Sequence, residues 1–410
     1  MDDHFFRHQY ANLVALLSRK VGVQHIELVE DAVQASLLKA IETWQAETPR
    51  KPDAWLYRVA YNHLIDEFRK RQPLSPIEDD EKLSALVKSE ASENSNVLEQ
   101  EHDLLHMMFI CCDPKIPEAS RHIIALKILC GFNVKEIALR LFMSEANVHK
   151  RYQRARLVLQ EQAEHFNSLT AETSLKRLES VLNVLYLLFT EGYLSYSIED
   201  AIRRDLCEEA FRLLEILSHS STTNEPRVYA LLALMCFNLA RLDTRQDQRG
   251  SLLLLEEQDR TKWDWQLIER GFNYLGSSAE GNILSRYHLE AAIAAEHCRA
   301  PSFEETNWQQ ICSYYEQLES FFTSYHYRLN RAVALAEWKT PENALQLLSE
   351  LEPPTWMSQS YLWLIVMADL NTRCHHNDKA KHYTELALQC APNEHIRNLI
   401  SKRLNSHVNR

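Results

Sequence analysis

The chain has 410 residues, of which only 7 are glycine, and its formal net charge is −12. Average usage would give roughly 29 glycines, so folds that depend on glycine are excluded first. The three close glycines of a dinucleotide fingerprint are absent. Gly271 and Gly276 have phosphate-loop spacing, but Ser277 stands where that loop needs lysine. Helices tolerate this composition best, so the sequence predicts an all-α fold.

The acidic total charge argues against a nucleic-acid partner, but the charge is unevenly distributed. The net charge is 0 over residues 1–72, −7 over 73–105, +4 over 106–163 and −9 over 164–410. A basic block therefore lies inside an acidic chain, and the charge of that block is compatible with a nucleic-acid partner.

Three features indicate a protein of the cytoplasm; separately, the sequence predicts no cofactor. The longest apolar run, Ala230–Phe237, is far shorter than the ~20 residues that span a bilayer. The acidic start of the chain does not resemble a signal peptide. The nine cysteines lack any C-x-x-C spacing, which predicts reduced, mostly buried thiols.

The pattern of the first block, residues 1–72, predicts three or four helices. In Trp55–Lys70 the apolar residues recur at helical spacing, and the opposite face is polar. The two prolines of Trp44–Asp53 predict a loop, with Asp53 as the cap of the next helix. Aromatic and basic residues alternate here: Trp44, Trp55, Tyr57, Tyr61, Arg50, Lys51, Arg58, Arg69, Lys70 and Arg71. Such a set can stack on unpaired bases and follow a phosphate backbone, or the rings can simply form a core.

Residues 73–100 are acidic and serine-rich, which is typical of a linker between compact blocks. The second block, 101–165, contains an apolar helix ending near Gly131, a helix over Val134–Leu141, a break at Phe142–Met143 and a helix over Ser144–Leu159. Two short helices joined by a tight turn, the second one basic, predict a helix-turn-helix with Ser144 as N-cap.

The second helix of this motif places polar side chains on a solvent-facing surface. Arginine and lysine there can neutralise phosphates, and arginine or asparagine can read base edges in the major groove. The alternative interpretation is a solvated, charged helix of an ordinary bundle. The residues concerned are Asn147, Lys150, Arg151 and Arg154.

Residues 171–405 read as successive helices with a faint repeat near the end. Leu335 and Leu370 are 35 residues apart, and Ala344 and Ala380 are 36 apart, close to the period of about 34 in tetratricopeptide (TPR) repeats. The charged segment Leu252–Asp264 predicts either an exposed contact surface or a polar network that joins two helices.

Metal and catalytic sites are disfavoured by spacing. The groups His102, His106, Cys111, Cys112 and Cys374, His375, His376 lack the paired spacing of zinc ligands. No serine or cysteine nucleophile stands in a recognisable local signature, so the sequence does not predict an enzyme.

The two N-terminal blocks together resemble a bacterial sigma factor of the extracytoplasmic-function (ECF) group. The resemblance is carried by Glu30–Ala40, Pro49–Arg71, Met107–Pro114 and the helix-turn-helix. The loop P-x-K-P-x-A-W-L, the segment F-x-C-C-x-P and the motif L-L-E-E-Q-D-R-x-x-W-D resemble one subgroup, which carries a helical TPR-like extension. The resemblance therefore implies sigma regions 2 and 4, in residues 1–72 and 101–165, followed by that extension in residues 171–405.

The resemblance also implies partners, namely core RNA polymerase and promoter DNA, and roles for particular residues. Asp31, Gln34 and Ala35 would contact polymerase, and Ser36 stands where many relatives have an acidic residue, which predicts an altered contact. The loop Gln45–Pro52 would hold a flipped base of the −10 element. The residues that would contact melted −10 DNA are Arg50, Lys51, Trp55, Arg58, Asn62, Arg69 and Lys70. The residues that would contact the −35 element are Ser144, Asn147, Lys150, Arg151 and Arg154.

Two other interpretations remain open from the sequence. One is a helix-turn-helix regulator with a TPR-like sensor domain, which would need no melting surface in residues 30–71. The other is an interaction scaffold whose helix-turn-helix is fortuitous. In the sigma interpretation the extension regulates the N-terminal blocks or binds a protein or peptide partner.

Overall fold

The computed structural model describes residues 3–44, 48–71, 97–141, 143–161, 170–194, 201–221, 223–248, 250–281, 283–322, 324–350 and 352–408. These residues form helices joined by turns and loops and contain no β-strand, apart from an isolated bridge between Gln246 and Leu252. The predicted all-α fold is confirmed. None of the described helices is both long and apolar enough to cross a membrane.

The described chain divides into two compact units. The first comprises Met1–Leu185 with His219–Thr223, and the second comprises Tyr186–Ser218 with Asn224–Arg410.

The first unit contains two groups of helices. The leading group is α1 (Asp3–Val21), α2 (Ile26–Thr43) and α3 (Pro52–Arg71). The other group is α4 (Val97–Cys111), α5 (Glu118–Cys130), α6 (Val134–Arg140) and α7 (Glu145–Glu161), followed by α8 (Ala171–Tyr193), whose last residues belong to the second unit. Helix α1 packs against α2, α4 and α5, so one core joins both groups.

The sequence pattern of α3 explains its orientation. Leu56, Ala60 and Leu64 recur every four residues and are fully buried. The loop before α3 ends two residues earlier than predicted, because Pro52 opens the helix, where its fixed φ is favourable. Asp53 is therefore not the cap, and the prediction that it caps α3 is wrong. It lies in the first turn, where a negative charge favours the helix N-terminus.

Local capping interactions fix where the helices of the helix-turn-helix begin and where the preceding helix ends. Gly131 ends α5 in the left-handed conformation at φ 63°. Asn133 then caps α6 in a capping box with Glu136, in which both reciprocal hydrogen bonds form, at 2.9 and 2.8 Å. At α7 the Ser144 hydroxyl accepts from the Asn147 amide at 3.3 Å, as expected for the predicted N-cap. Phe142, in the intervening turn, lies outside the described residues.

The second unit begins with α9 (Arg204–His219), α10 (Pro226–Leu239), α11 (Trp265–Ser278) and α12 (Arg286–Arg299). It continues with α13 (Trp308–Phe321), α14 (Tyr325–Trp338), α15 (Pro341–Ser349), α16 (Thr355–Ser358), α17 (Tyr361–Arg373), α18 (Asn377–Gln389) and α19 (Glu394–Val408). Consecutive helices pack as pairs, notably α10 with α11, α13 with α14, and α17 with α18.

Candidate nucleic-acid interface

Helix α7 has one buried face and one exposed polar face. Val148, Tyr152, Ala155 and Leu159 point into the first unit. Ser144, Asn147, Lys150 and Arg154 are exposed on the other side, and Arg151 is half-buried. The Arg151 guanidinium donates to the Asn147 side-chain oxygen at 3.1 Å, which fixes two of the five candidates relative to each other. The structure thus presents all five candidate −35 residues at the N-cap and on the first three turns of α7.

Helix α3 presents the second candidate surface. Arg58, Asn62, Arg69 and Lys70 are exposed, as are Arg50 and Lys51 just before the helix. Arg69 lies 3.9 Å from the Asp66 carboxylate, and the Lys70 ammonium lies 2.7 Å from Glu67, whose hydrogen bond and charge raise the pKa of that lysine. Exposed pairs of this kind are weak, so both cations remain available to phosphates. The first three residues of the predicted base pocket, Gln45–Glu47, lie outside the described residues.

The aromatic residues near α3 have a partly structural role. The ring of Trp55 meets that of Trp44 edge-on at 5.2 Å, and Trp44 stacks on Phe6 at 6.3 Å. Tyr57 stacks on Tyr61 at 5.8 Å, and the Lys20 ammonium lies over the Tyr57 ring. Trp55 is half-buried, so this packing fixes the ring while leaving part of it open.

Helix α2 exposes Asp31 and Gln34, and Ala35 is half-buried. Ser36 is fully buried and donates its hydroxyl to the Val33 carbonyl at 2.7 Å, so it does not reach the surface. The expectation that the polymerase contact is altered at this position stays a prediction. Leu38 and Ile41 are 58% and 51% exposed and continue the same face at helical spacing, although the sequence-based prediction did not include them. Helical periodicity alone puts these two large apolar side chains on the exposed face of α2, so the sequence contained a signal for them.

The leading helices and the helix-turn-helix are joined by a buried carboxylate. Glu30 of α2 is 4% exposed and accepts hydrogen bonds from Tyr10 of α1 at 2.9 Å and from Tyr152 of α7. The Lys127 ammonium of α5 lies 3.5 Å from the same carboxylate. Burial and, next to it, the Glu30 charge raise the pKa of both tyrosines well above 10, so their hydroxyls remain donors.

A second buried pair fixes the segment Met107–Pro114. Asp113 is 3% exposed and accepts from the Arg177 guanidinium of α8 and from the Lys115 amide at 2.7 Å. The same guanidinium donates to the Phe109 carbonyl at 3.0 Å. Burial raises the pKa of the adjacent Cys112 thiol to about 12, so that thiol is protonated at neutral pH. Across the described ranges, no three His, Cys, Asp or Glu side chains gather as metal ligands.

The segment Leu252–Asp264 forms a polar network in the second unit. Arg260 donates to the carbonyls of His297 and Ala300, both at 2.7 Å, at the end of α12. The guanidinium groups of Arg260 and Arg241 lie over the buried Trp263 ring, and Asp264 caps α11. Of the two predicted interpretations, the structure supports the polar network.

The same segment borders a groove of about 840 Å³. The groove is lined by residues of the α12–α15 region and of α17 and the start of α18, including Phe303, Trp308, Tyr315, Asn330, Val333 and Asn377. Its lining combines aromatic side chains with exposed side-chain amides.

Comparisons with known proteins agree with this arrangement. Residues 5–73 match the family model "Sigma-70 region 2", and residues 107–159 match "Sigma-70, region 4". Residues 177–279 match "Family of unknown function (DUF6596)". An uncharacterized protein of Rhizobium meliloti (strain 1021) is 33% identical over 332 residues, which are 80% of this chain and 78% of the relative. No solved structure matches the chain.

The two matched regions coincide with α1–α3 and with α4–α7, the helices that carry the candidate surfaces. The chain belongs to the sigma-70 family and is an RNA polymerase sigma factor of the ECF type. Residues 177–279 of its helical C-terminal part match a family whose function is unknown.

Proposed function

We propose that this sigma factor reads the −35 element with α7 and melted −10 DNA with α3, while α2 binds core polymerase. The observation that carries this proposal is the exposed polar face of α7, opposite a buried face that fixes the helix in its unit. The protein performs no chemistry in this account. Binding to the −35 duplex and to polymerase offsets the few kcal/mol needed to unstack each −10 base.

The test of this proposal is transcription in vitro with core polymerase on a library of genomic fragments. We expect defined start sites that core polymerase alone does not use. Transcripts that start at random positions, with or without the protein, would contradict the proposal.

The alanine variant of Arg154 should weaken promoter use by roughly tenfold or more, since one good base or phosphate contact is worth about 1–3 kcal/mol. Arg154 is exposed, so the fold should not change. The measurement is run-off transcription from one promoter as a function of salt. Lys379→Ala, an exposed lysine of α18, is the matched control and should leave promoter use unchanged. Equal activity of the Arg154 and Lys379 variants would contradict the proposal that α7 reads the −35 element.

The polymerase-binding face of α2 includes Leu38 and Ile41 in this proposal. Leu38→Asp should weaken binding to core polymerase at least tenfold, because burying an unpaired carboxylate is costly. Binding is measured by fluorescence anisotropy of the labelled sigma factor titrated with core polymerase. Leu284→Asp, at a 49% exposed leucine of the second unit, is the matched control. If both variants bind like wild type, polymerase binds elsewhere.

We further propose that residues 171–405 form a TPR-like extension that regulates the sigma regions by binding a peptide segment of a partner protein, in the cytoplasm. Two observations support this proposal. The repeated alanines Ala344 and Ala380 are both buried, in α15 and α18, as a repeat of helix pairs would require. The groove between these pairs exposes Asn330 and Asn377, whose amides match the donors and acceptors of a peptide backbone.

Point variants test the extension better than truncation at residue 170, which would remove Arg177 and leave Asp113 unpaired. We expect Asn330→Lys combined with Asn377→Lys to change transcription in cells severalfold while leaving transcription by purified components unchanged. Lys379→Glu is the control on the same helix as Asn377. Unchanged transcription in cells would contradict a regulatory role of this groove.

A further inference from the structure

Three arginine side chains of the second unit come together around the motif Leu252–Asp264. Arg241 follows α10, Arg245 lies four residues later, and Arg260 belongs to the motif itself. The Arg241 and Arg260 guanidinium groups lie 5.2 and 4.9 Å from the centre of the Trp263 ring. Burial lowers the pKa of Arg245 and of Arg260, and the charge of Arg241 acts in the same direction on both. Arg241 is therefore close enough to repel both of the other guanidinium groups.

Two of these arginines are held in place by backbone carbonyls. Arg245 donates to the Tyr193 carbonyl and stacks on the ring of that tyrosine at 3.7 Å. Arg260 donates to the two carbonyls at the end of α12 described above. Within the described chain, none of the three arginines forms an ion pair with a carboxylate, and the Glu304 charge acts on Arg260 only from a greater distance. Carbonyls fix guanidinium groups without cancelling their charge, so this part of the second unit keeps an uncompensated positive charge.

Three nitrogen atoms at the same place have no hydrogen-bond partner within the described chain. They are Nε of Arg241, Nε1 of Trp263 and Nδ1 of His297. Trp263 is only 3% exposed, and the charges of Arg241 and Arg260 both act on His297. The three nitrogens belong to three segments, namely the turn after α10, the end of the motif and α12. Buried polar groups without a partner are costly, so the cluster favours a ligand that brings several acceptor oxygens.

A phosphate group matches this cluster in charge and in the number of its oxygens. A phosphate monoester carries a charge of about −1.5 to −2 near neutral pH and has three strong acceptor oxygens. A carboxylate carries a single charge and has two oxygens, so it offers fewer acceptors to nitrogens on three segments. Guanidinium groups pair with phosphate through short, charge-assisted hydrogen bonds. His297 also lines the groove of about 840 Å³, which leaves room for the rest of a phosphorylated ligand.

We propose that this cluster binds the phosphate group of a small phosphorylated ligand. The oxygens of that group accept hydrogen bonds from Arg241, Trp263 and His297, and the two backbone-held arginines add positive charge. Arg241 is only half-buried, so part of the site reaches solvent. The motif Leu252–Asp264 has no part in the proposed reading of promoter DNA, and this site gives the motif a function of its own. The inference holds whether or not the groove binds a peptide.

Titration calorimetry of the purified full-length protein tests this inference. The titrants are inorganic phosphate, O-phosphoserine and adenosine monophosphate, with acetate as the carboxylate control, all at one constant ionic strength. We expect the phosphate compounds to bind and acetate to bind at least tenfold more weakly. Tighter binding of an ester would assign the site to esters, and equal affinities would assign it to the free ion. Acetate that binds as tightly as phosphate would overturn the phosphate assignment, as would the absence of binding by every phosphate compound.

Variants of the cluster separate this site from general attraction of anions. Arg241→Gln should weaken phosphate binding at least tenfold, because it removes the charge and the guanidinium fork. Trp263→Phe keeps a ring for both arginines but removes the indole donor, and should weaken binding severalfold. Arg299→Gln is the matched control, since Arg299 also lies over an aromatic ring but pairs with the Glu296 carboxylate at 3.0 Å. Affinity that is the same in the wild type and in both cluster variants would overturn the site.

Hydrogen exchange locates the bound phosphate, which is necessary because the basic faces of α3 and α7 also attract anions. We expect saturating phosphate to slow exchange in the motif Leu252–Asp264 and in α12, and to leave α19 unchanged. Protection confined to the first unit would overturn this site but not the proposed promoter contacts. Absence of promoter-specific transcripts in the transcription experiment would overturn the proposed function but not this site, so the two failures are distinguishable.

Discussion

The alanine variant of Asp113 is expected to destabilise the first unit by about 3–5 kcal/mol, because it leaves the Arg177 guanidinium buried without its carboxylate. The Arg177 side chain is only 14% exposed, so water replaces the lost partner poorly. The Lys115 amide loses its acceptor in the same variant. Asp113→Asn keeps an acceptor for that amide and should have a smaller effect.

Hydrogen exchange resolves this effect better than a global melting curve, since a protein with two units need not unfold in one step. We expect faster exchange in peptides that cover α4 and the start of α8, and little change in α13–α18. Glu172→Gln is the matched control, because Glu172 also pairs with a cation, Lys176, but on the exposed surface of α8. Exchange in Asp113→Ala that is no faster than in wild type would show that this pair does not fix the segment.

Acidification should destabilise the second unit through His297. Burial, and after it the charges of Arg241 and Arg260, lowers the pKa of this imidazole to about 3. The unfolded chain has the ordinary histidine pKa of about 6.5, so below that pH it binds more protons than the folded chain. The contribution of His297 is thus complete above about pH 6.5 and decreases by up to about 1.4 kcal/mol per pH unit as the pH falls towards about 3.

The variant His297→Gln isolates this contribution, since glutamine does not titrate. The difference in unfolding free energy between wild type and variant should be constant above about pH 6.5 and should shift in favour of the variant below it. It is measured by denaturant unfolding followed by hydrogen exchange in α12 and α13. A difference that does not depend on pH would show that the imidazole is not held neutral.

The local pattern of the sequence predicted most of the fold. In α3 and α7 the apolar residues recur every three or four positions, and this spacing alone identifies the buried face and the exposed polar face. The cap at Ser144 was predictable because its hydroxyl acts within one turn. The role of Asp53 as a cap was wrongly predicted because the two prolines before α3 fit helix starts that differ by one or two residues. Periodicity does not resolve so small a difference.

The contacts that join distant segments were not predictable in this way. Glu30 and Tyr152 are 122 residues apart, and Asp113 and Arg177 are 64 apart. A single sequence contains no signal for such pairs, because a buried glutamate and an exposed one look alike until the helices are packed. The segment Met107–Pro114 was recognised as part of the resemblance, but its role in binding α8 required the structure.

The most direct test of the whole account is the set of promoters that this protein selects with core polymerase from a randomised library. We predict two separate conserved blocks of sequence at a fixed distance. Arg154→Ala should relax only the upstream block, and Asn62→Ala only the downstream one. Selection of a single block, or relaxation of both blocks by either variant, would contradict the assignment of α7 and α3 to separate promoter elements.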